Sequence, residues 1–380
     1  MRIVHTESST VMGGQERRVL AESIGMRDRG HDLWIVTPPD GALAGRARDV
    51  GLEVIPLSFR RWRLHANARS LASLVHRLEP DIVNSHSSAD SWTAALGLRS
   101  GSRGGALVRS RHISARVEPG PLHRFLYGQA DFVITTGESV RRDLAKSGLV
   151  PLERSASIPT GVDLDHYRPM SEGRAEARRV LGISTEGPVL GVVAYLREDK
   201  GHAVLLRAIP EILRRCPDSV IVLVGDGPER QRLEKQARSL GIEGAVRFAG
   251  LREDIPLVLS AFDVFCLPSV RNEGVPQSVL QAGAAAVPVV STAVGGIPEA
   301  VVHGTTGTVV PPGDAGALAS AVCDLIGDPA ARSRFGQAGR AHVSESFSVQ
   351  RMLDLTEEAY AAVLRSAALR AGSRRVQPGP

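Results

Sequence analysis

Short runs of β-branched and aliphatic residues alternate with helical stretches along the first 135 residues, the pattern of a parallel sheet whose strands are joined by helices. Six runs are predicted as strands, over residues 2–4, 33–36, 54–57, 81–83, 106–108 and 132–134. Between two of them, apolar residues recur at i, i+3, i+4 and i+7, at Leu71, Leu74, Val75 and Leu78. This spacing puts one apolar stripe on one face of a helix, which can cover the sheet.

A second series of strands begins after a break, over residues 189–193, 220–224, 246–248, 264–267, 289–291 and 308–310. The run over 220–224 is apolar throughout, which implies burial on both faces of its sheet. Between the two series, residues 158–169 contain two prolines and a glycine, and such a segment continues neither a helix nor a central strand. The pattern therefore predicts an α/β fold of two doubly wound domains.

The predicted domains comprise residues 1–165 and 166–350, followed by a helix over 351–372 and a disordered tail over 373–380. A chain of 380 residues has the length of two ordinary domains. Open parallel sheets bind ligands at the carboxyl ends of their strands. We therefore expect a ligand in a cleft between the two domains.

Composition narrows the class of protein. Hydrophobic residues make up 43% of the chain and charged residues 23%, which is typical of a globular protein and excludes disorder, collagen and coiled coil. No apolar run approaches the roughly 20 residues needed to cross a bilayer. Because the chain begins with a strand-like run and no apolar signal region, we expect a cytoplasmic protein.

The formal charge of +5 is concentrated in arginine clusters. One is Arg60-Arg61-Trp62-Arg63, and the other comprises Arg99, Arg103, Arg109, Arg111 and Arg116. Aromatic residues are only 4% of the chain and do not interleave with these clusters, so we do not expect nucleic acid as a partner. A phosphorylated small molecule or an anionic membrane surface fits better, with a solvated basic surface as the alternative.

Three segments carry candidate chemistry, and the first is the glycine pair Gly13-Gly14. It lies in the loop after the first predicted strand, where missing Cβ atoms let the backbone approach a ligand and the next helix offers its N-terminal N–H groups. We interpret it as a phosphate-binding or acceptor-side loop, with an ordinary turn as the alternative. The spacing differs from the Gly-x-Gly-x-x-Gly fingerprint, which argues against an NAD-binding domain.

The second segment is the charged turn at residues 197–202, after the first strand of the second series. Arg197 and Lys200 lie there beside a predicted helix N-terminus. An arginine grips phosphate oxygens bidentately and a lysine acts as a point charge, so the pair can neutralise a leaving diphosphate without a metal ion. A solvated charged turn is the alternative.

The third segment, residues 269–282, joins the end of a strand to a helix predicted to begin near Pro276. It carries Glu273 in the loop and Gln281 eight positions later in the helix. We expect these two side chains to hold opposite ends of a nucleotide sugar. Glu273 can instead act as a capping acid of the helix.

This segment resembles the Glu-x7-Glu signature of retaining GT-B glycosyltransferases, glycosyltransferase family 4. The resemblance covers nearly the whole chain in order and spacing, and the subgroup it is most similar to makes bacterial surface polysaccharide and lipopolysaccharide. It rests on Gly13-Gly14-Gln15-Glu16, Arg29-Gly30-His31, residues 81–86, 109–112 and 130–139, Pro159-Thr160-Gly161-Val162-Asp163, Lys200-Gly201, Gly225-Asp226-Gly227-Pro228 and Pro288-Val289-Val290.

The resemblance implies two Rossmann-like domains, an N-terminal acceptor domain and a C-terminal nucleotide-sugar domain, with the last helix crossing back to the first. It implies a front-face transfer with retention that needs no metal or other cofactor. The implied catalytic set is Arg197, Lys200, Glu273 and His112, of which His112 touches the donor sugar and Glu273 orients its hydroxyls. The implied donor-binding set is Gly13, Gly14, Gly274, Val275, Gln277, Gln281 and Leu251.

The chain departs from the family pattern at three positions. Gln281 replaces the second glutamate, so the ribose loses a charged acceptor. Tyr195 replaces a common arginine, which leaves Arg197 as the candidate cation, and Ala286 stands where glycine is usual. The Asp163-Leu164-Asp165 run matches a metal-binding Asp-x-Asp pattern, but its place in the domain junction indicates that Asp163 fixes a turn.

We expect a hexosyltransferase that acts on a saccharide or lipid-linked acceptor, in cell-surface polysaccharide or glycolipid synthesis. The basic cluster around Trp62 is expected to rest on the anionic inner face of a membrane. Two alternatives stay open. One is a nucleotide-sugar epimerase of the same fold, although we find no cluster of carboxylates and histidines in the sequence; the other is a non-catalytic protein that binds sugar nucleotides.

Overall fold

The computed structural model describes residues 1–98, 104–112, 114–115, 117–183 and 186–375, with side chains to residue 367. The chain forms two units. Unit 1 is Met1–Gly161 together with the chain from Val349 onward, and unit 2 is Val162–Ser348. Of the residues in the basic clusters, Arg99, Arg103 and Arg116 lie outside the described residues.

Unit 1 is built on a parallel sheet of seven strands in the order β3-β2-β1-β4-β5-β6-β7. The strands are β1 (Arg2–Thr6), β2 (Asp32–Thr37), β3 (Glu53–Pro56), β4 (Ile82–Ser85), β5 (Ala106–Arg111), β6 (Phe132–Thr135) and β7 (Ser155–Ser157). The strand order reverses between β1 and β4, which makes this pair the switch point of a doubly wound sheet.

Helices cover both faces of this sheet. They are α1 (Gly14–Asp28), α2 (Ala42–Asp49), α3 (Leu64–Leu78), α4 (Ser88–Gly97), α5 (Pro121–Gln129), α6 (Glu138–Lys146) and, from the C-terminal end of the chain, α15 (Val349–Arg375). On one face, Ile3, Val19 and Tyr360 share a core that joins β1, α1 and α15. On the other face, Val4 and Leu71 share a core between the sheet and α3.

Unit 2 repeats the architecture with six parallel strands in the order β10-β9-β8-β11-β12-β13. The strands are β8 (Val189–Val193), β9 (Val220–Val224), β10 (Val246–Gly250), β11 (Val264–Leu267), β12 (Val289–Thr292) and β13 (Gly307–Val310). The helices are α7 (Arg174–Val180), α8 (His202–Arg215), α9 (Arg230–Ser239), α10 (Ile255–Ser260), α11 (Gln277–Ala284), α12 (Ile297–Ala300), α13 (Ala315–Gly327) and α14 (Pro329–Ser346).

The predicted fold class is confirmed, and all twelve predicted strands are present within a few residues of their predicted ends. The thirteenth, β7, was missed because its sequence is Ser-Ala-Ser and carries no apolar pattern. The chain changes unit after Gly161 and again after Ser348, four and two residues before the predicted boundaries. At the first change, the Val162 amide already donates to Phe347 of unit 2, over 2.8 Å.

The C-terminal helix extends beyond its predicted end. We predicted a helix over 351–372 and a disordered tail from 373, but α15 begins at Val349 and continues to Arg375. The tail prediction is therefore wrong for residues 373–375, which are helical, and residues 376–380 lie outside the described residues. Gly372 is a residue type that often ends a helix, but α15 continues past it to Arg375.

Candidate functional site

The charged turn after β8 is organised by an ion pair within it. Arg197 Nε and Nη2 each donate to a different Asp199 oxygen over 2.6 Å. Burial raises the pKa of Asp199, but the hydrogen bonds and charge of Arg197, with the charge of Lys200, outweigh it and hold the pKa below its usual value. The Arg197 side chain remains 55% exposed, so an anchored guanidinium still faces solvent.

Lys200 and Glu273 are in direct contact although 73 positions separate them. Lys200 Nζ donates to Glu273 Oε1 over 2.7 Å, and the Ser269 hydroxyl donates to the same oxygen over 2.5 Å. The Glu273 side chain is 5% exposed and that of Lys200 is 19% exposed. The structure therefore joins two of the residues predicted to be catalytic into one nearly buried ion pair.

The backbone around Glu273 is held by the loop that follows β12. Asn272 has a positive φ of 60°, and Gly295 has a φ of 55°. A Cβ atom on Gly295 would lie 1.9 Å from the Glu273 carbonyl oxygen, so only glycine fits there. The Gly296 amide donates to the same carbonyl over 3.3 Å. The Glu273 loop thus depends on close backbone contact with a neighbouring loop.

Helix α11 begins directly after this loop, with Pro276 as its N-cap and Gln277 as its first residue. This start is one residue later than predicted. Gly274 and Val275 lie between Glu273 and the helix, and Gln281 is on the second turn, partly exposed. The partial positive charge of a helix N-terminus favours an anion at this position.

Sheet topology explains which predicted residues meet in unit 2. Strands β8 and β11 are neighbours at the point where the strand order reverses, and their carboxyl ends carry Lys200 and Glu273 respectively. Leu251 follows β10, two strands away from β8, and is 76% exposed. The structure therefore brings Lys200 and Glu273 together and leaves Leu251 apart from them.

The glycine pair in unit 1 lies at the start of α1. Gly13 is the N-cap residue, and its amide donates to Glu16 Oε2 over 2.8 Å. A Cβ atom on Gly14 would meet no protein atom within 4 Å. The protein's own packing therefore leaves room for a side chain at Gly14, and close approach of a ligand remains a prediction.

Two buried carboxylates lie beside this loop, and the sequence analysis missed both. Glu7 accepts from Gln15 over 2.5 Å, and Asp90 accepts from the His86 amide over 2.8 Å. Burial, followed by the charge of Asp90, raises the pKa of Glu7 to about 7. Burial also raises the pKa of Asp90 to about 6, against the hydrogen bonds that it accepts. This pair therefore holds protons at pH values where ordinary carboxyls are ionised.

His112 follows β5 and belongs to a series of three hydrogen-bonded histidines. His112 Nε2 lies 3.0 Å from His86 Nδ1, and His86 Nε2 lies 2.8 Å from His5 Nδ1. We call these three residues the histidine series. Together with Glu7 and Asp90, it forms a cluster of histidines and carboxylates. The sequence analysis expected no such cluster, and that expectation is wrong. The adjacency of β1, β4 and β5 creates this cluster.

Two cavities flank the basic turn Arg61–Arg63 in unit 1. One, of about 570 Å³, is lined by polar and apolar groups in nearly equal parts, with Ser8, Asp40, Arg60 and Arg63 in its wall. The other, of about 410 Å³, is mainly apolar, with Leu64, Trp92 and Leu122 in its wall. Phe59 borders both cavities, and Trp62, which lines the first, is 77% exposed.

The predicted turn role of Asp163 is confirmed, since its Oδ1 accepts from the amides of Asp165 and His166, each over 3.0 Å. Within the part of the chain that the structure describes, no three His, Cys, Asp or Glu side chains are grouped so as to hold a metal ion. Among the same residues, no helix combines the length and the apolar character needed to span a membrane.

Two all-parallel, doubly wound domains, with cationic and carboxylate side chains at the switch point of the second, are the architecture of the GT-B fold that Rossmann-like glycosyltransferases adopt. Two family models match the chain. The model described as Glycosyltransferase Family 4 matches residues 12–166, and the model described as Glycosyl transferases group 1 matches residues 173–342. The chain belongs to this glycosyltransferase family.

Curated relatives carry two kinds of name. A GDP-mannose-dependent alpha-(1-6)-phosphatidylinositol monomannoside mannosyltransferase of Mycolicibacterium smegmatis is 36% identical over 216 residues, covering 55% of this chain and 56% of that protein. A D-inositol 3-phosphate glycosyltransferase of Streptomyces avermitilis is 30% identical over 325 residues, covering 78% and 67% respectively. The chain spans little more than half the length of several of these relatives.

Solved structures share the fold over nearly the whole chain. A glycosyltransferase from Rickettsia africae superimposes with a TM-score of 0.85 at 20% identity, covering 96% of this chain and 98% of that one. Anabaena HepE in complex with UDP superimposes with a TM-score of 0.82 at 22% identity, covering 95% and 100%. At such identities the likeness shows the fold alone.

Proposed function

We propose that the protein is a retaining hexosyltransferase that uses a nucleoside diphosphate sugar and an anionic, lipid-linked acceptor. The observation that carries the proposal is the contact between Lys200 and Glu273 at the switch point of unit 2, 2.7 Å from nitrogen to oxygen. A cation that can meet a leaving diphosphate is held there by a carboxylate that can meet sugar hydroxyls. The family membership of the chain supports both assignments.

In the proposed transfer, the bond between the anomeric carbon and the diphosphate oxygen breaks, and the acceptor hydroxyl forms a new bond on the same face. The hydroxyl proton passes to the departing phosphate oxygen. Arg197, Lys200 and the N-terminus of α11 stabilise the negative charge that develops on the diphosphate. Because these cationic groups belong to the protein, the proposed step needs no metal ion.

The acceptor proposal rests on the surface of unit 1. The names of the relatives share a phosphate-bearing inositol acceptor, either a phosphatidylinositol monomannoside or inositol 3-phosphate. The larger cavity, with Arg60 and Arg63 in its wall, suits an anionic headgroup of this kind, and the neighbouring apolar cavity suits part of an acyl chain.

We further propose that the exposed Trp62 and the arginines beside it rest on an anionic membrane. An indole at the headgroup level and cations next to it are the usual means of interfacial binding. Substitution of Arg60, Arg61 and Arg63 by Glu should abolish sedimentation with vesicles containing phosphatidylinositol. The matched control substitutes three exposed arginines of unit 2, Arg207, Arg214 and Arg238, and should bind as the wild type does. Equal binding by both triple variants would refute the membrane proposal.

The transfer proposal is tested by nucleotide release with GDP-mannose and UDP-glucose as donors, each with and without phosphatidylinositol monomannoside as acceptor. We expect release that depends on the acceptor, persists in EDTA and yields a product with the anomeric configuration of the donor. Lys200→Ala should lower kcat by about 10² to 10³, as expected for loss of one group that stabilises the leaving charge. The exposed lysine variant Lys235→Ala should match the wild type.

One observation supports the epimerase alternative, namely the cluster of histidines and carboxylates in unit 1. An epimerase would invert a hydroxyl of the nucleotide sugar in the absence of any acceptor, which NMR of the recovered nucleotide sugar detects. Binding of the nucleotide with neither transfer nor inversion would support the non-catalytic alternative. Binding itself is read as a thermal shift, since a ligand at 100 times its Kd stabilises by ~2.7 kcal/mol.

A further inference from the structure

The inner end of the histidine series lies next to a cluster of buried polar side chains from β1, β4, α1 and α15 of unit 1. His5, Arg18, Glu22, Asn84 and Tyr360 are all fully buried. Tyr360 donates to Glu22 Oε1 over 2.9 Å and accepts from Asn84 over 2.7 Å. His5 Nε2, at the inner end of the series, faces the same Glu22 oxygen at 4.0 Å. One end of the series thus meets a buried carboxylate, and the other ends at His112.

The pKa values of all three imidazoles are lowered, which favours neutral rings near pH 7. Burial, the largest cause in each case, lowers the pKa of His5 and lowers those of His86 and His112 well below the usual value. His112 keeps part of its surface accessible, but the protein packed around its ring still desolvates the charged form. Each neutral ring therefore carries one N–H donor and one acceptor nitrogen.

Two hydrogen bonds among three such rings leave only two continuous arrangements. In one, every N–H points inward: His112 Nε2 donates to His86 Nδ1, His86 Nε2 donates to His5 Nδ1, and the N–H of His5 faces Glu22. In the other, every N–H points outward, and the lone pair of His5 Nε2 faces Glu22. A lone pair opposite a carboxylate is repulsive, whereas an N–H is attracted to it.

The charges around His5 favour the inward arrangement. Glu22 acts on His5 more strongly than Arg18, whose Nε lies 3.4 Å from the other Glu22 oxygen. In the inward arrangement, the same N–H direction continues along the series, so His112 carries its proton on Nε2 and presents Nδ1 as a hydrogen-bond acceptor.

We propose that His5 and His86 are positioning residues that hold His112 in the Nε2–H tautomer, so that its Nδ1 accepts a hydrogen bond from a hydroxyl of the bound sugar. The role of His112 toward a sugar rests on the proposed function. The tautomer of His112 does not rest on the proposed function, because it is argued from the contacts of unit 1 alone. The two parts of the proposal therefore need separate measurements.

The first measurement is the ¹⁵N NMR spectrum of the ring nitrogens in the full chain labelled at histidine, with His112 assigned from the His112→Gln variant. We expect the ¹⁵N shifts of a neutral ring protonated at Nε2. A His112 protonated at Nδ1, or an equal mixture of tautomers, would overturn the proposal. This arm needs neither donor nor acceptor, so its outcome is independent of whether the protein transfers sugar.

The second measurement compares variants. His86→Phe keeps an aromatic ring but offers no acceptor, so the fixed tautomer of His112 should be lost and kcat should fall roughly tenfold or more. His86→Asn returns an acceptor oxygen near the former Nδ1 and should restore the Nε2–H signature and part of kcat. The exposed control His65→Phe should change neither. If His86→Phe leaves the His112 shifts unchanged, or His86→Asn behaves like His86→Phe in both readouts, the positioning role is refuted.

Discussion

At the scale of single residues, the Lys200 and Glu273 pair concentrates the candidate chemistry in one contact. Glu273→Gln keeps the shape of the side chain and an acceptor for Ser269, but removes the charge that holds the Lys200 ammonium. We expect transfer to fall by about 10², because the remaining amide neither orients the lysine nor accepts as strongly from sugar hydroxyls. Steady-state kinetics checks this, and the exposed variant Glu243→Gln should be unaffected.

The raised pKa of Glu7 predicts how the stability of the folded chain depends on pH. Because its pKa in the folded chain is raised to about 7 from an ordinary value of 4.5, the folded state holds a proton that the unfolded state releases. The free energy of unfolding therefore loses a contribution as pH rises from about 4.5 to about 7, and none is lost above that. Glu7→Gln removes the ionisation and should raise stability by a few kcal/mol at pH 8, with little change at pH 4.

Denaturant titrations of the wild type and Glu7→Gln at several pH values measure this difference. The buried histidines change the free energy of unfolding in the opposite direction, because below pH 6.5 they bind protons in the unfolded state and not in the folded state. Both proteins contain these histidines, so their effect is absent from the difference between the two free energies. A constant difference between the two proteins from pH 4 to pH 8 would show that Glu7 ionises normally in the folded chain.

At the scale of elements, the Glu273 loop between β11 and α11 depends on the loop after β12. Gly295→Ala would put a Cβ atom 1.9 Å from the Glu273 carbonyl, at a φ of 55°. Gly313 offers a matched control, since its φ is 82° and a Cβ atom there meets nothing within 4 Å. Gly313→Ala should destabilise by roughly 1–2 kcal/mol through backbone conformation alone.

We expect Gly295→Ala to destabilise more than Gly313→Ala, because the loop must also move to relieve the clash. It should also lower transfer, since Glu273 moves with its backbone, while Gly313→Ala leaves transfer unchanged. Chemical denaturation and kinetics on the two variants check both statements. Equal effects of the two substitutions would show that the clash is relieved without moving Glu273.

At the scale of the whole molecule, the end of the chain contributes to both units within a few residues. Phe347 packs in the core of unit 2, and Tyr360, 13 residues later, packs in the core of unit 1. Phe347→Ala and Tyr360→Ala should each destabilise by about 3–5 kcal/mol, because each removes a buried aromatic ring. We expect the effect of each to be confined to its own unit.

Hydrogen exchange read by mass spectrometry distinguishes the units. Tyr360→Ala should speed exchange in β1 and β4 and leave β8 and β11 protected, whereas Phe347→Ala should do the reverse. Faster exchange in all four strands with either variant would mean that the units unfold together. The division after Ser348 would then not separate two units that unfold independently.

The sequence by itself determined the local elements of this protein. Apolar runs and helical spacing located all the strands except β7, because burial on both faces of a parallel sheet demands nearly continuous apolar residues. The same rule explains why β7 was not predicted. It is an edge strand with the sequence Ser-Ala-Ser, and an edge strand does not need apolar residues on both faces. Motifs also located Lys200 and Glu273, whose residue types and loop positions carry their own chemical meaning.

Only the tertiary structure decided which strand ends meet. His5 lies one residue before the end of β1, and His86 and His112 lie one residue past the ends of β4 and β5. These positions are visible in the sequence, but 81 and 26 residues separate the three histidines. Their contact requires β1 to lie beside β4 and β4 beside β5, and this order is set by how the helices pack on the sheet. The raised pKa of Glu7 and the lowered ones of the histidines follow from the same burial, because desolvation depends on the whole enclosure rather than on neighbours in sequence.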